Sequence, residues 1–223
     1  MVIRINSPGG AVGPSQEILE EINRMRPKKK VVASMGSVAA SGGYYIASGA
    51  DVIIANPGTL TGSIGVIMNF ANVEKLTEKL GIDLYNLHAG KFKDVGSPYR
   101  SMTPVEKEYL QKLLDNFHEQ FIVDVARGRH MLAHKVRELA DGRVFTGETA
   151  KNLGLVDKLG DLQDAIDLAG RLGGIKGKVE AVYPPKEKLS LFSLIFGNEA
   201  EELLETWLGP ASAVPAYLFA PGR

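Results

Sequence analysis

The stretch GSVAASGGYYIASGA, residues 36–50, is the part of the sequence around which the rest of the chain is organised. It follows a β-branched pair, Val31-Val32, and consists almost entirely of glycine, alanine and serine. Small residues let the start of a helix lie very close to neighbouring backbone, and the pair Gly42-Gly43 leaves the amides there unshielded. The pattern therefore predicts a buried strand, a tight turn, and a helix that opens at Ser41.

Ser41 is the candidate nucleophile of this stretch. Its hydroxyl can be presented to an acyl carbon while N–H groups and the helix dipole face the oxyanion that forms. The turn Ser7-Pro8-Gly9-Gly10 offers further N–H groups, which can meet the same oxygen from the opposite side. The alternative interpretation is that AASGG only permits tight helix packing and that the Gly-Gly turn is only a turn.

The first half of the chain alternates predicted strands and helices. Strands are predicted at Val2–Ile5, Val31–Met35, Asp51–Ala55, Ile64–Met68 and Asp83–Leu87. Helices are predicted between Pro14 and Pro27, after Ser41, and at Val73–Leu80. This alternation predicts an α/β fold, with βαβ units that build a mainly parallel sheet.

The second half is predicted to be mostly helical. Thr103-Pro104 with Glu106 is typical of a capping box, and apolar residues then keep a helical period as far as Arg127. Further helices are predicted at Leu132–Leu139, Glu148–Leu153 and Leu162–Leu172, and a last short strand is predicted at Val179–Tyr183.

Two regions are predicted, a folded domain over residues 1–183 and an apolar, amphipathic tail over residues 184–223. The tail has no obvious place in the core. Packing on a neighbouring subunit or on the domain, binding to a membrane surface, and disorder all stay open for it. Because Met1 leads directly into a strand and a functional-looking loop, we also expect that N-terminal elements of the domain are missing.

The composition argues against several classes of partner. Lysine plus arginine balance aspartate plus glutamate at 26 each, so no overall field favours nucleic acid. The 223 residues include no cysteine, and no two histidines share a ligand-type spacing with a carboxylate. No stretch approaches the roughly 18–20 apolar residues that span a bilayer. The sequence predicts no nucleic-acid partner, no metal and no cofactor.

A serine nucleophile needs a base, and the residues leave two kinds of candidate. Of the four histidines, His88 is the best placed because it ends a predicted strand, but no acidic residue in a recognisable motif orients it; the others are His118, His130 and His134. The loop after the predicted fifth strand offers Lys91 and Lys93. A lysine held against apolar surface loses its proton more easily and can accept one from serine. The residues alone do not decide between the two lysines.

Five motifs stand in order along the chain: INSPGG, GSVAASGGYYIA, NPGTLTGSIGV, GKFKD and ADGRVFTG. Together they resemble the signal peptide peptidase A family of serine proteases, and the resemblance runs from Val2 to about Asp161. It implies the crotonase-like fold that this family shares with the Clp protease subunit, and a Ser–Lys catalytic dyad.

The resemblance also implies a role for each site residue. Ser41 matches the nucleophile, and Lys93 matches the general base, which decides against Lys91. Ser63, in TGSIG, matches the hydroxyl that orients the lysine amine. The amides of Gly42 and Gly10 match the oxyanion hole.

By the same resemblance the chain is a serine endopeptidase that hydrolyses cleaved signal peptides or other short apolar peptides. Its short relatives form homo-oligomeric rings in which neighbouring protomers complete each site. They attach to a membrane through an N-terminal anchor that is missing here, and the catalytic domain is expected on the extracytoplasmic side.

Other functions stay open beside this one. The first is a related membrane-bound Ser–Lys protease that cuts a specific apolar partner segment. The second is a truncated, non-catalytic peptide-binding scaffold. A crotonase-type acyl-CoA enzyme is disfavoured, because nothing in the sequence suggests an adenine-binding loop or a pair of catalytic carboxylates.

Overall fold

A computed structural model describes residues 1–183 and 216–218, the last three as backbone only. The strands are β1 (Val2–Ser7), β2 (Gly9–Ala11), β3 (Val32–Ala40), β4 (Val52–Ala55), β5 (Leu60–Gly62), β6 (Val144–Thr146), β7 (Lys158–Leu159) and β8 (Ala216–Leu218). The helices are α1 (Val12–Met25), α2 (Gly42–Ser48), α3 (Glu74–Lys79), α4 (Pro104–Gly128), α5 (Ala133–Leu139), α6 (Gly147–Asn152) and α7 (Leu162–Leu172).

Strand β3 is the centre of a six-stranded, mainly parallel sheet. It pairs in parallel with β1 on one side; on the other it pairs with β4 through its first half and with β5 through its last three residues. Strand β7 extends the sheet in parallel beyond β4, whereas β6 runs antiparallel to β5 at the opposite end. The units β1–α1–β3 and β3–α2–β4 confirm the predicted α/β class and βαβ organisation.

The main core lies between this sheet and helices α1, α2 and α4. Seven of the nine residues of β3 are buried, as expected for a strand covered on both faces, whereas Ser37 is exposed and Val38 is half-buried. Helix α4 begins with the predicted capping box, in which the Thr103 side chain accepts from the Glu106 N–H and the Glu106 side chain accepts from the Thr103 N–H. The predicted helical second half is confirmed, and α7 has the predicted bounds.

Three predicted strands are wrong, at Ile64–Met68, Asp83–Leu87 and Val179–Tyr183. In place of the predicted fourth strand the structure has β5, which lies earlier in the chain. The loop with Lys93 follows helix α3 and does not follow a strand of the sheet. The apolar residues of 83–87 face solvent in the single chain, with Leu87 95% exposed. Apolar content alone suggested a buried strand there, but none of the strands in the described part of the chain pairs with this run.

The segment of residues 67–102, between β5 and α4, carries much of the exposed apolar surface. Its exposed members are Ile67, Phe70, Leu76, Leu80, Ile82, Leu84, Tyr85, Leu87 and Tyr99. Monomeric proteins rarely expose so many large apolar side chains in one segment, so this segment is a candidate interface. We refer to it below as the 67–102 arm.

A second, two-stranded sheet joins the two ends of the chain. Strand β2 pairs antiparallel with β8, and Gly10 lies opposite Tyr217. Most of the predicted tail lies outside the described residues, so the division at residues 183 and 184 stays a prediction. Within the described residues, none of the helices combines the length and the apolar character that crossing a bilayer requires.

Candidate active site

Ser41 occupies a sharp, strained turn between β3 and α2. Its backbone has φ 53° and ψ −117°, a combination that non-glycine residues rarely adopt. The Ser41 N–H donates to the Gly62 carbonyl at 2.8 Å, which ties the turn to the end of β5. In many hydrolases the nucleophilic serine lies on a strained turn of this kind, between the end of a sheet strand and the helix that follows it.

Ser63 lies beside Ser41 and shares its unusual backbone. The register pairs Ala40 with Gly62, so the two serines follow the paired ends of adjacent parallel strands. Ser63 has φ 51°, and its N–H donates to the Arg143 carbonyl at 2.8 Å. A residue keeps such a strained conformation only where the surrounding structure holds it there. Residues of this kind cluster at functional sites.

The Ser41 hydroxyl is buried and unsatisfied. Ser41 has no exposed surface, and its Oγ has no hydrogen-bond partner among the described residues. A buried hydroxyl without a partner costs roughly 1–3 kcal/mol and calls for an explanation. The oxygen therefore has unused hydrogen-bonding capacity, but it is buried in the described chain, and a substrate or base reaches it only if surrounding residues shift.

The end of β1 and strand β2, which replaces the predicted Gly9-Gly10 turn, lie against helix α2. A Cβ added at Gly43 would come within 2.9 Å of the Ser7 carbonyl oxygen, so only glycine fits this contact. Gly42 is the first residue of α2, and its N–H therefore has no acceptor within the helix. The structure thus brings Ser41, Gly42, Ser63 and the turn with Gly10 to one place, and their catalytic roles stay predictions.

Helix α2 is fixed behind Ser41 by two buried tyrosines. The Tyr44 hydroxyl donates to the Leu155 carbonyl at 3.0 Å, and burial raises the pKa of this phenol far above its usual value. The Tyr45 hydroxyl donates to Asp124 of α4, and its ring packs edge-on against Phe121. The nucleophile turn is therefore attached near the C-terminal end of the long helix α4.

Lys93 is not brought to Ser41 within one chain. It is exposed in the 67–102 arm, and its N–H donates to the Gly90 carbonyl at 3.0 Å. Lys91 is also exposed, with its ammonium 5.4 Å from the centre of the Phe92 ring. Among the described residues no hydrogen bond connects either lysine with the unpartnered Ser41 oxygen.

Helix α4 explains this separation. The Lys93 loop is attached near the start of α4, where Arg100 binds Glu106, whereas α2 is attached at Asp124. These two points are 18 residues apart, which is about 27 Å along a helix. The same helix therefore carries the nucleophile turn and the lysine loop at well-separated positions.

The histidines form no alternative dyad with Ser41. His88, His130 and His134 are exposed. His118 has a buried, unpartnered Nε2, but it faces a cleft on α4 that is lined by Asp115 and Asp141. The described residues also contain no group of three or more side chains suited to hold a metal ion.

Comparison with known families now identifies the chain's relationship. The family model described as peptidase family S49 matches residues 23–176. The chain belongs to this family. The match includes Ser41, Ser63 and Lys93, whereas Gly10 lies before it. Family S49 membership confirms the resemblance to the signal peptide peptidase A proteases.

Named relatives agree with the S49 assignment. The chain is 46% identical over 189 residues to a putative protease of Synechocystis sp.. It is 39% identical over 168 residues to a putative signal peptide peptidase of Enterococcus faecium, and 38% identical over 177 residues to protease 4 of Salmonella typhi. The alignments cover 83%, 75% and 79% of this chain, and 68%, 49% and 28% of the three relatives. The chain thus corresponds to only a part of these longer proteins.

Sequence reasoning missed the pairing that surrounds Gly10. A run of three residues, Gly9–Ala11, is too short and too rich in glycine to indicate a strand. Its partner β8 lies more than 200 residues away in the chain. The available signal was the apolar, aromatic character of the C-terminal residues, which gave no information on where they pair.

Proposed function

We propose that this S49 chain is a serine endopeptidase with a Ser–Lys dyad, and that it hydrolyses cleaved signal peptides or other short apolar peptides. Ser41 is the nucleophile, Lys93 is the general base and acid, and Ser63 orients the lysine. The amides of Gly10 and Gly42 stabilise the oxyanion. The fold relationship in this proposal is to the crotonase and Clp protease folds, which the parallel βαβ sheet supports.

The observation that carries the proposal is the Ser41 turn. Its hydroxyl is buried and without a partner, its backbone is strained, and a second strained serine lies beside it at the end of the next strand. A purely structural serine would gain stability from a hydrogen bond and a relaxed backbone. The cost of this arrangement is understandable if the oxygen is held ready for a substrate and a base.

The proposed reaction has two stages. Lys93 takes the proton of Ser41 as the serine oxygen bonds to the substrate carbonyl carbon, and it then gives this proton to the leaving amine as the C–N bond breaks. Water deprotonated by the same lysine next attacks the acyl-enzyme ester. The proton returns to the oxygen of Ser41, and the second product leaves.

We also propose that the lysine comes from a neighbouring copy in a homo-oligomeric ring. Lys93 is exposed, its loop is attached to α4 about 27 Å from the attachment of α2, and the 67–102 arm exposes many apolar side chains. Burial of this arm against a second copy would cover the apolar surface and remove water from the lysine. Desolvation favours the neutral amine, which the reaction needs.

The pairing of β2 suggests how a peptide binds. Strand β2 contains Gly10 and already accepts an extended segment, β8, along its edge. A substrate backbone paired in the same way would lie next to helix α2, which β8 also contacts. Main-chain pairing of this kind selects extended peptides with little demand on their sequence.

Membrane attachment through a separate N-terminal anchor, with catalysis on the extracytoplasmic side, completes the proposal.

The proposal is tested by Ser41→Ala and by variants of the two loop lysines. We expect Ser41→Ala to lower hydrolysis of a fluorogenic apolar peptide by at least 10³-fold and to abolish labelling by a fluorophosphonate. Lys93→Ala and Lys93→Arg should be equally inactive, since a guanidinium cannot act as a base. Lys91→Ala is the matched control, because Lys91 is also exposed and lies two residues away.

The same assay contains the contradicting outcomes. Activity of Ser41→Ala within tenfold of wild type would exclude Ser41 as the nucleophile. Loss of activity in Lys91→Ala with retention in Lys93→Ala would move the base by two residues. Wild-type activity should also rise with pH as the base loses its proton, and activity that does not change with pH would contradict a lysine base.

A further inference from the structure

Arg100 connects the Lys93 loop to the start of helix α4. Its Nε donates to the Asp94 carboxylate at 2.8 Å, and its Nη2 donates to the Asp94 carbonyl at 2.9 Å. On the other side, Nη1 and Nη2 donate to the two oxygens of Glu106 at 2.9 and 2.6 Å. One guanidinium thus holds the residue after Lys93 and a helix terminus at the same time.

Glu106 fixes the end of this contact that lies on helix α4. Its side chain is 8% exposed and also accepts from the Thr103 N–H at 2.8 Å, as part of the capping box of α4. The hydrogen bonds from Arg100, and then those from Thr103, lower the pKa of Glu106 to about 2. The carboxylate stays ionised at any pH at which the protein works, so its bond with the guanidinium persists.

Asp94 is held as tightly on the loop side. Its side chain is 15% exposed, and its carboxylate accepts from Arg100 and from the Asn86 amide at 3.0 Å. These hydrogen bonds, Arg100 first, lower the pKa of Asp94, and His88 is a nearby titratable group that acts in the same direction. Adjacent Cα atoms are about 3.8 Å apart, so a fixed Asp94 fixes the backbone of Lys93 as well.

Lys93 depends on its backbone for position. Its side chain is exposed, and the described residues show no hydrogen bond from its amine. A flexible four-carbon side chain reaches a defined point only if the backbone that carries it is fixed. Within each subunit, helix α4 supplies that reference for the lysine loop through Glu106, and the proposed assembly then presents the loop to the Ser41 turn of a neighbouring copy.

We propose that Arg100 is a positioning residue for Lys93: it fixes the lysine loop to the start of α4, and so fixes the base relative to the serine turns of the assembled enzyme. This inference rests on the proposed Ser–Lys function. Lysine at position 100 cannot replace it, because a single ammonium lacks the planar fork that reaches both carboxylates and the carbonyl. Capping of α4 alone does not account for the contacts of Arg100, since Thr103 and Glu106 already form a capping box at the start of this helix.

The experiment compares Arg100→Gln and Arg100→Lys with wild type in peptide hydrolysis. We expect kcat to fall about 100-fold in both, with KM changed by less than about threefold, since a displacement near 1 Å costs that much. The rising limb of the pH–rate profile should move to higher pH in both variants. Arg137→Gln is the matched control, because Arg137 also binds a carboxylate of α4, Glu119, and should keep wild-type kcat.

Stability, assembly and a double variant separate the possible outcomes. Melting temperature and sedimentation of Arg100→Lys should match wild type; a loss of kcat in proportion to unfolding or dissociation would overturn the positioning role. In a Lys93→Ala background, Arg100→Gln should lower activity no further, and an additional tenfold loss would contradict it. If Lys93→Ala is active, the proposed function fails. If Lys93→Ala is inactive while both Arg100 variants keep wild-type kcat and pH profile, only this inference fails.

Discussion

The contact between Gly43 and Ser7 predicts that a single methyl group in α2 will damage the site. In Gly43→Ala the new Cβ would lie 2.9 Å from the Ser7 carbonyl oxygen, whereas ordinary contacts begin at 3.4 Å. The start of α2 and the end of β1 at Ser7 must therefore separate by about 0.5 Å or more. Gly42, next to Gly43, carries one proposed oxyanion amide, and Gly10, three residues after Ser7, carries the other, so the separation acts on the proposed oxyanion site.

The expected size of the effect follows from this displacement. A shift of 0.5–1 Å in catalytic groups predicts a fall in kcat of about 10- to 100-fold. Overpacking costs about 1–3 kcal/mol, and the helix preference of alanine over glycine returns up to about 1 kcal/mol. We therefore expect the free energy of unfolding to fall by only about 1–2 kcal/mol, so most molecules stay folded while activity drops.

A matched control exists in α1. Gly13 is the second residue of its helix, as Gly43 is of α2, but a Cβ at Gly13 would meet no atom within 4 Å. Gly13→Ala should keep wild-type kcat and melt at the same or a slightly higher temperature. Steady-state peptide hydrolysis with thermal unfolding measures both variants. Wild-type kcat in Gly43→Ala, or an equal loss in Gly13→Ala, would refute the reasoning.

Two further predictions concern the assembly and the pH dependence of stability. Mixed assemblies of Ser41→Ala and Lys93→Ala subunits should recover about a quarter of wild-type activity, since random neighbours restore one intact pair in four; no recovery in verified mixed rings would place both residues in one chain. Partial burial acts to raise the pKa of Asp51, but the Val31 N–H at 2.8 Å and Lys30 outweigh it and hold the pKa below its ordinary 3.8. The resulting stability is present above pH 3.8 and is lost as the pH falls through the lower, folded-state pKa. Urea unfolding of Asp51→Asn should therefore depend less on pH below about 5, and a wild-type pH dependence would contradict this.

The sequence predicted the features that local patterns determine. Helix α4 shows its capping box at Thr103, its apolar period and its end near Arg127, and all three are present in the structure. The AASGG run predicted a tight approach of backbone at the start of α2, which the Gly43–Ser7 contact confirms. These features depend on residues close together in sequence or on glycine itself.

The sequence did not predict the relative position of Ser41 and Lys93. The sequence pattern placed Lys93 in a loop after a predicted fifth strand at Asp83–Leu87, because an apolar run resembles a buried strand. The run instead belongs to the exposed 67–102 arm, where its apolar side chains face solvent in the described chain. Apolar patterning reports that a residue avoids water, and it does not report whether the same chain or another chain covers it.

The strained serines have a consequence for engineering. Ser41 and Ser63 adopt left-handed φ values, which cost an L-residue about 1–2 kcal/mol and cost glycine almost nothing. Glycine at either position should therefore make the domain more heat-resistant while it removes a hydroxyl that the proposed reaction requires. A screen for thermal stability alone would enrich inactive proteins at these two positions. Directed evolution of this fold must therefore select for turnover in every round.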